Sequence, residues 1–294
     1  MISVNLGFNN AIVGIIRKKL DKNQKANLKY CFAVLRTWHL KTIFFRKEKF
    51  GASVYQLFEN LKPLKTEYQL VRWGGIADGS YLAPDWPINY QGVISPGVGQ
   101  TFEFEKEIVP NSIKVVLIDG TIQKPEDLPP NFIFRKEMLT DQTSVISGGV
   151  TLSDLVHQEF PNNESLVLSM DIEGGEYTVI STTSIATLSR FSLLVIEFHQ
   201  LQKVFVSKSN NEELTTVFNK LKGEFYLIHS HPNNAGGFFL YRFKKIPKVI
   251  ETTWVRKELV KKNFGIANLP HNLDVCNDTQ IKDLKFPIFK NRYV

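Results

Sequence analysis

Cysteine is scarce in this 294-residue chain: Cys31 and Cys276 are the two, 245 positions apart. With no CxxC or CxxH spacing, a zinc-ribbon site is excluded, and two thiols are too few for a secreted disulfide framework. Free thiols in a reducing compartment are expected. Long apolar runs are also missing. No stretch reaches 18 uninterrupted apolar residues, so no transmembrane helix is expected. "AIVGII" (11–16) is too short for a signal-peptide core, and its basic cluster follows it rather than precedes it. A cytoplasmic location is therefore the expectation. Net positive charge is absent from most of the chain. Residues 1–50 hold eleven Lys and Arg against Asp21 and Glu48, a balance of +9, which leaves the other 244 residues at −2. The main body offers no polyanion-binding charge, and nucleic acid is not an expected partner.

What the chain does have is apolar content of 43% with 22% charged residues, inside the globular range and against wholesale disorder. No proline precedes Pro63, and "YCFAVLRTWHL" and "VYQLFENL" repeat apolar residues at helical spacing. Residues 1–65 are accordingly expected to form a basic helical extension. Such a segment either docks on the domain with a solvated basic face or makes peripheral contact with an anionic membrane.

From residue 68 the texture changes. "QGVIS", "IKVVLID", "NFIFR", "SLVLSMD" and "FSLLVIEF" are short apolar runs without strict alternation, the pattern of strands buried on both faces. "TFEFEKEIV", "TLSDLVHQEF" and "EYTVISTTSIATLSR" between them are helix-compatible. Strand and helix alternate, which predicts a Rossmann-like α/β domain with a doubly wound, mostly parallel sheet over residues 66–260. "EFYLIHS", "GGFFLYRF" and "VIETTWVRKEL" predict an antiparallel C-terminal hairpin, and residues 261–294 a tail packed on the domain.

The first run leads into "SPGVGQTFEFEKEI", a strand, a Gly97-Val98-Gly99 turn and a helix start. That is a place for a nucleotide. The dinucleotide fingerprint needs a third glycine where Phe102 stands, no base greets a phosphate, and Glu103 and Glu105 open the helix. A cofactor without phosphates fits better than NAD or ATP. Asp119-Gly120, at the tip of the second run, is placed either to accept from ribose hydroxyls or to form an ordinary turn. S-adenosylmethionine has a ribose and a cationic sulfonium but no phosphate.

The run "SLVLSMDIEGGEYTVI" (165–180) puts Asp171 and Glu173 where a buried strand must turn a corner. Ligands of open α/β sheets bind beyond such strand ends. Glu176, in the first turn of the next helix, is explained there by the helix dipole alone. "LSMDIEGGEYTVI" resembles the K-x-D-x-E-G-x-E signature of the FkbM-type S-adenosylmethionine-dependent methyltransferases. "LLVIEFHQL" is similar to that family's fifth strand, and "RWGGIADGSYLAP", "IHSHPNNAGG" and "IPKVIETTWVRK" extend the likeness over roughly residues 66–260. Two positions depart from it: Ser95 stands for the acid usual at the end of the first strand, and Ser169 for the Lys or Arg before the D-x-E motif.

The resemblance implies O-methylation of a hydroxyl on a sugar, glycan or related metabolite. Ser95, Gly97, Gly99, Asp119, Gly120 and Asp171 would hold the cofactor. Asp171 would face cofactor or substrate, Glu173 would order the loop, and His199, beside Glu197, is the general-base candidate. Arg72 and Asp78 either line a substrate lid or pair within a hairpin. His231 and Asn233 are expected to hydrogen-bond the acceptor, in preference to a metal held by His229, His231, Asp171, Glu197 and His199. Two rival classes remain at this point: an NAD-dependent oxidoreductase acting on a sugar nucleotide, and a non-catalytic nucleotide- or polyanion-binding module.

Overall fold

The structure, a computed structural model, describes residues 49–76, 78–85, 89–141, 149–205, 208–241 and 244–288. Most of the expected N-terminal extension, residues 1–48, lies outside them. At the centre is a seven-stranded sheet of β1 (Gly92–Pro96), β2 (Val115–Ile118), β3 (Phe132–Arg135), β4 (Leu166–Met170), β5 (Phe191–Phe198), β6 (Phe225–Pro232) and β7 (Ile250–Arg256). Its order is β3-β2-β1-β4-β5-β7-β6. The first five strands pair in parallel, and β7 runs antiparallel to both β5 and β6.

The five apolar runs lack alternation because both sheet faces are covered. Ile94, Val116, Leu168 and Leu194 enter one core, while Val93, Val115, Val167 and Leu193 enter the other. The first core is closed by α1 (Lys49–Asn60), α3 (Leu152–Glu159), α4 (Glu176–Thr182), α5 (Ile185–Leu188) and α6 (Lys208–Glu224). Leu57 and Phe58 bury into it, so the last helix of the expected extension is part of the domain. On the other face lie the short α2 (Glu103–Ile108) and a hairpin of Leu70–Trp73 with Tyr81–Pro84.

The sheet is thus less evenly wound than the alternation of strand and helix predicts. The β2–β3 crossover has no helix, because Pro125, Pro129 and Pro130 remove donors and fix φ along it. "EYTVISTTSIATLSR" is two helices rather than one. Thr183 turns its hydroxyl back onto the Val179 carbonyl, and Ser184 caps α5 by accepting from the Thr187 N–H. After β6 the chain makes a small hairpin, Phe238–Tyr241 with Lys244–Pro247, and returns as β7 inside the sheet rather than at its edge. The tail begins as a strand, Asn263–Ile266, paired antiparallel with Leu64–Thr66. Residues 267–288 then run without helix or strand past Arg72, His229 and Asn234.

Candidate functional site

The strand order reverses between β1 and β4, where open sheets place their ligands. A cleft of about 490 Å³ opens there, within the range of small-molecule sites. Gly97 forms its floor at φ +79°, and a Cβ added to it would lie 1.7 Å from the Asp171 carbonyl oxygen. No side chain fits. The two strand ends interlock around it: Gly97 N–H donates to the Ile118 carbonyl at 2.8 Å and Asp171 N–H to the Pro96 carbonyl at 3.1 Å. Gly99 N–H donates to Asp119 Oδ2 at 3.2 Å, and Thr121 donates to Asp119 Oδ1 from its N–H at 2.7 Å and its hydroxyl at 2.6 Å. Burial works against charge on Asp119, but these bonds prevail and hold its carboxyl below the usual range. Asp119 therefore braces the glycine turn as well as lining the cleft with Gly120.

Ser95 and Ser169, the two departures from the family pattern, are brought together by the β1–β4 register. Ser95 Oγ donates to Glu105 Oε1 at 2.9 Å, and Ser169 hydrogen-bonds the same carboxyl. Burial raises the Glu105 carboxyl, and the two serines pull it part of the way back. Glu105 projects from α2 and lines the cleft with Ser95 and Ser169. Sequence reasoning noted it only as a helix-opening charge. The signal available was two small hydroxyl residues in adjacent register where charged residues were expected.

Asp171 leaves β4 into the cleft rim. Burial drives its carboxyl up most strongly and His199 opposes. Glu173, Glu176 and Asp78 add to the rise, to about 7. His199 Nε2 faces Asp171 Oδ1 at 3.6 Å, Glu173 Oε2 at 3.5 Å and Glu197 Oε1 at 3.8 Å. Its Nδ1 lies 2.9 Å from Glu176 Oε1, which also accepts from Ile172 N–H at 3.3 Å and Gly174 N–H at 3.0 Å. Burial lowers the imidazole, but Glu176, Asp171 and Glu173 outweigh it and raise the group above its ordinary value. Glu176 is fully buried. The helix dipole is not its whole explanation: it ties the Asp171–Gly174 corner to the His199 ring. Glu173 holds φ +57°, a strained conformation for a non-glycine residue, with its side chain largely exposed. His199 itself is not among the residues lining the cleft; it sits behind Asp171.

Two trios among the described residues bring ligand atoms within 4.8 Å of one another: Asp171, Glu173 and His199, and separately Asp78, Glu197 and Glu251. Neither is the expected set, which mixed members of the two trios with His229 and His231. His229 Nε2 pairs with Asp274 Oδ1 at 2.8 Å, and His231 faces Glu251 and Asp283. The remaining expected substrate residues separate. Asp78 lines the cleft. Arg72 does not, and it does not pair with Asp78: its guanidinium donates to the Ser80 carbonyl and hydroxyl and to the Leu273 carbonyl. His231 and Asn233 are buried off the cleft, at 1% and 5% exposure. Asn233 donates to Glu197 Oε1 and accepts from the Ala235 and Gly236 N–H groups, which fixes the turn after β6. A second cleft of about 570 Å³ lies between residues 63–70 and the tail, with His229 and His271 in its lining. No helix among the described residues is long and apolar enough to cross a membrane.

No family model matches the chain, and no curated protein matches it. Among solved structures, a candidate DNA modification methyltransferase encoded within a prophage, from E. coli, is 11% identical. The match covers 57% of this chain and 47% of that one, about half its length, with a TM-score of 0.30. A likeness of that size carries no argument about activity.

Proposed function

We propose that this chain is an S-adenosylmethionine-dependent methyltransferase acting on a hydroxyl of a sugar, glycan or related metabolite. One observation carries the proposal. Among the described residues, those lining the switch-point cleft include six carboxylates (Asp78, Glu105, Asp119, Glu137, Asp171 and Glu173) and no lysine or arginine. A pyrophosphate would meet repulsion on every side. A ligand with a ribose, an ammonium and a sulfonium meets acceptors, and the cleft volume suits a molecule of that size.

Gly97 and Gly99 would let the backbone approach the ligand, and Asp119 would accept from a ribose hydroxyl with the lone pairs that Thr121 and Gly99 leave. Glu105, set between Ser95 and Ser169, would take the ammonium. When bound, S-adenosylmethionine supplies an electrophilic methyl on a positively charged sulfur. The chain's own work is alignment and proton acceptance. Asp171 lines the cleft with a carboxyl raised to about 7, so it is matched to receive a hydroxyl proton near neutrality. His199, oriented through Nδ1 by Glu176, keeps Nε2 toward Asp171 and stabilises its charged form. Asp78 and Glu173 at the rim offer acceptors to the other hydroxyls of a polyol.

Thermal unfolding with S-adenosylmethionine, S-adenosylhomocysteine and NAD in parallel tests this. A ligand at a hundred times its dissociation constant adds about 2.7 kcal/mol, roughly 2–4 °C per kcal/mol for a domain of this size. Stabilisation by the two adenosyl ligands alone is expected. Stabilisation by NAD alone would replace methyl transfer with hydride transfer, and none by any ligand would overturn the assignment of the cleft.

A further inference from the structure

Beyond β5 and β7, next to the cleft but deeper in the protein, Glu197 and Glu251 face each other as cross-strand partners. Both are 5% exposed, and Asp78 closes over them from the hairpin loop. Ligand atoms from all three lie within 4.8 Å of one another. Two carboxylates buried this closely repel each other strongly unless a positive group or a proton lies between them. Among the described residues their only basic neighbours at ion-pair distance are imidazoles, His199 Nε2 at 3.8 Å from Glu197 Oε1 and His231 Nδ1 at 3.5 Å from Glu251 Oε2, with no lysine or arginine.

Each carboxylate is nevertheless braced. Asn233 donates to Glu197 Oε1 at 2.8 Å, and Asn277 donates to Glu251 Oε1 at 2.6 Å and Asp78 Oδ1 at 2.9 Å. Amides that fix one oxygen of a carboxylate while the group as a whole points inward are typical of the outer shell of a metal site. A second observation concerns the imidazole beside them. His231, the register partner of Glu251 on β6, is 1% exposed, yet neither ring nitrogen has a hydrogen-bond partner of normal length. Its Nδ1 is turned toward Glu251 Oε2 at 3.5 Å and its Nε2 toward Asp283 Oδ2 at 3.6 Å. A buried imidazole without a hydrogen bond of normal length, aimed at one acid of the trio, fits an acid whose charge is shared with a ligand on its other side.

We propose that Asp78, Glu197 and Glu251 bind one divalent cation, with His231 behind Glu251 as its orienting partner. Hard oxygen donors select magnesium, manganese or calcium over zinc or copper. Binding of the ion stands on this geometry alone. Its use rests on the methyl-transfer proposal: an ion beside Asp171 would polarise the acceptor hydroxyl and ease loss of its proton.

The test titrates manganese into the full-length protein, stripped of metals with a chelator, and reads the free ion by electron paramagnetic resonance. One equivalent should bind and be displaced by excess magnesium or calcium. Glu251→Gln and Glu197→Gln should each weaken binding by about tenfold or more. Asp78→Asn, at an exposed position where folding is not at stake, should weaken it in the same direction. No binding by the wild-type protein at millimolar manganese would overturn the proposal. So would an affinity unmoved by Asp78→Asn together with a folded Glu251→Gln, since the ion would then sit elsewhere. Stabilisation by S-adenosylmethionine, measured in the same samples without metal, reports separately on the cofactor cleft.

Discussion

Glu176 offers the sharpest test of how the site is held. One oxygen, Oε1, accepts from Ile172 N–H, Gly174 N–H and His199 Nδ1, while Oε2 is buried without a partner. Glu176→Ala leaves three buried donors unsatisfied. At about 1 kcal/mol for each lost bond, and more where a buried group stays unpaired, the loss is about 3 kcal/mol or greater. That corresponds to a fall in Tm of roughly 6–12 °C for a domain of this size. Glu176→Gln is the discriminating control. Its carbonyl can take the place of Oε1 and keep all three bonds, but its NH2 would occupy the unpartnered position of Oε2, so a smaller loss of about 1–2 kcal/mol is expected. Calorimetry gives the global numbers, and hydrogen exchange at the Ile172 and Gly174 amides gives the local one, with protection lost in Ala and retained in Gln. An alanine variant within about 2 °C of wild type, or equal losses for the two substitutions, would refute the claim that this carboxylate pins the corner.

The two glycines of the cleft turn should respond differently. Gly97→Ala drives a methyl to 1.7 Å from the Asp171 carbonyl and should cost more than about 3 kcal/mol. Gly99→Ala has open space at φ +57° and should cost only about 1–2 kcal/mol, as chemical denaturation will read. Asp119→Ala should weaken S-adenosylmethionine binding in calorimetric titration, and an unchanged affinity would remove its ribose role. Asp274 in the tail is opposed by burial, but His229 and the His271 N–H outweigh that and lower its carboxyl. A depressed folded value means stability that is present above the unfolded value of about 3.9 and is lost as pH falls through the folded one. Asp274→Asn should therefore be less stable than wild type at neutral pH, and the gap should close below about pH 4 in denaturant titrations.

The strands were legible because burial on both faces writes itself into composition: five apolar runs without alternation became β1 to β5. The winding was less legible. Whether a crossover carries a helix depends on tertiary cover, and the second face of this sheet is closed by a hairpin and α2 instead. Residues that meet across long separations were hardest to read. Glu105 was visible as a charge near a glycine turn, but only the β1–β4 register shows that Ser95 and Ser169 converge on it. His231 and Asn233 carry the polar chemistry of a substrate site, yet they point behind the sheet edge, where one faces Glu251 and the other fixes Glu197.

That last contrast says what the acidic corner requires. Asp171, Glu173, Glu176, Glu197, Glu251 and Asp78 come from the corner after β4, the first turn of α4, β5, β7 and a hairpin loop, so no local sequence rule places them together. A fold that gathers this many acids must neutralise them by hydrogen bonds, protons or bound cations. Glu176 Oε1 is satisfied by two backbone N–H groups and an imidazole, while Oε2 has no partner. Glu105 is held by two serines, which offset its burial only in part. Glu197 has one amide, and burial together with Asp171, Glu251 and Asp78 drives its carboxyl far up. Hydrogen bonding therefore offsets burial only in part at each of the three, beside the cleft where a cationic ligand and a metal ion are each proposed to bind.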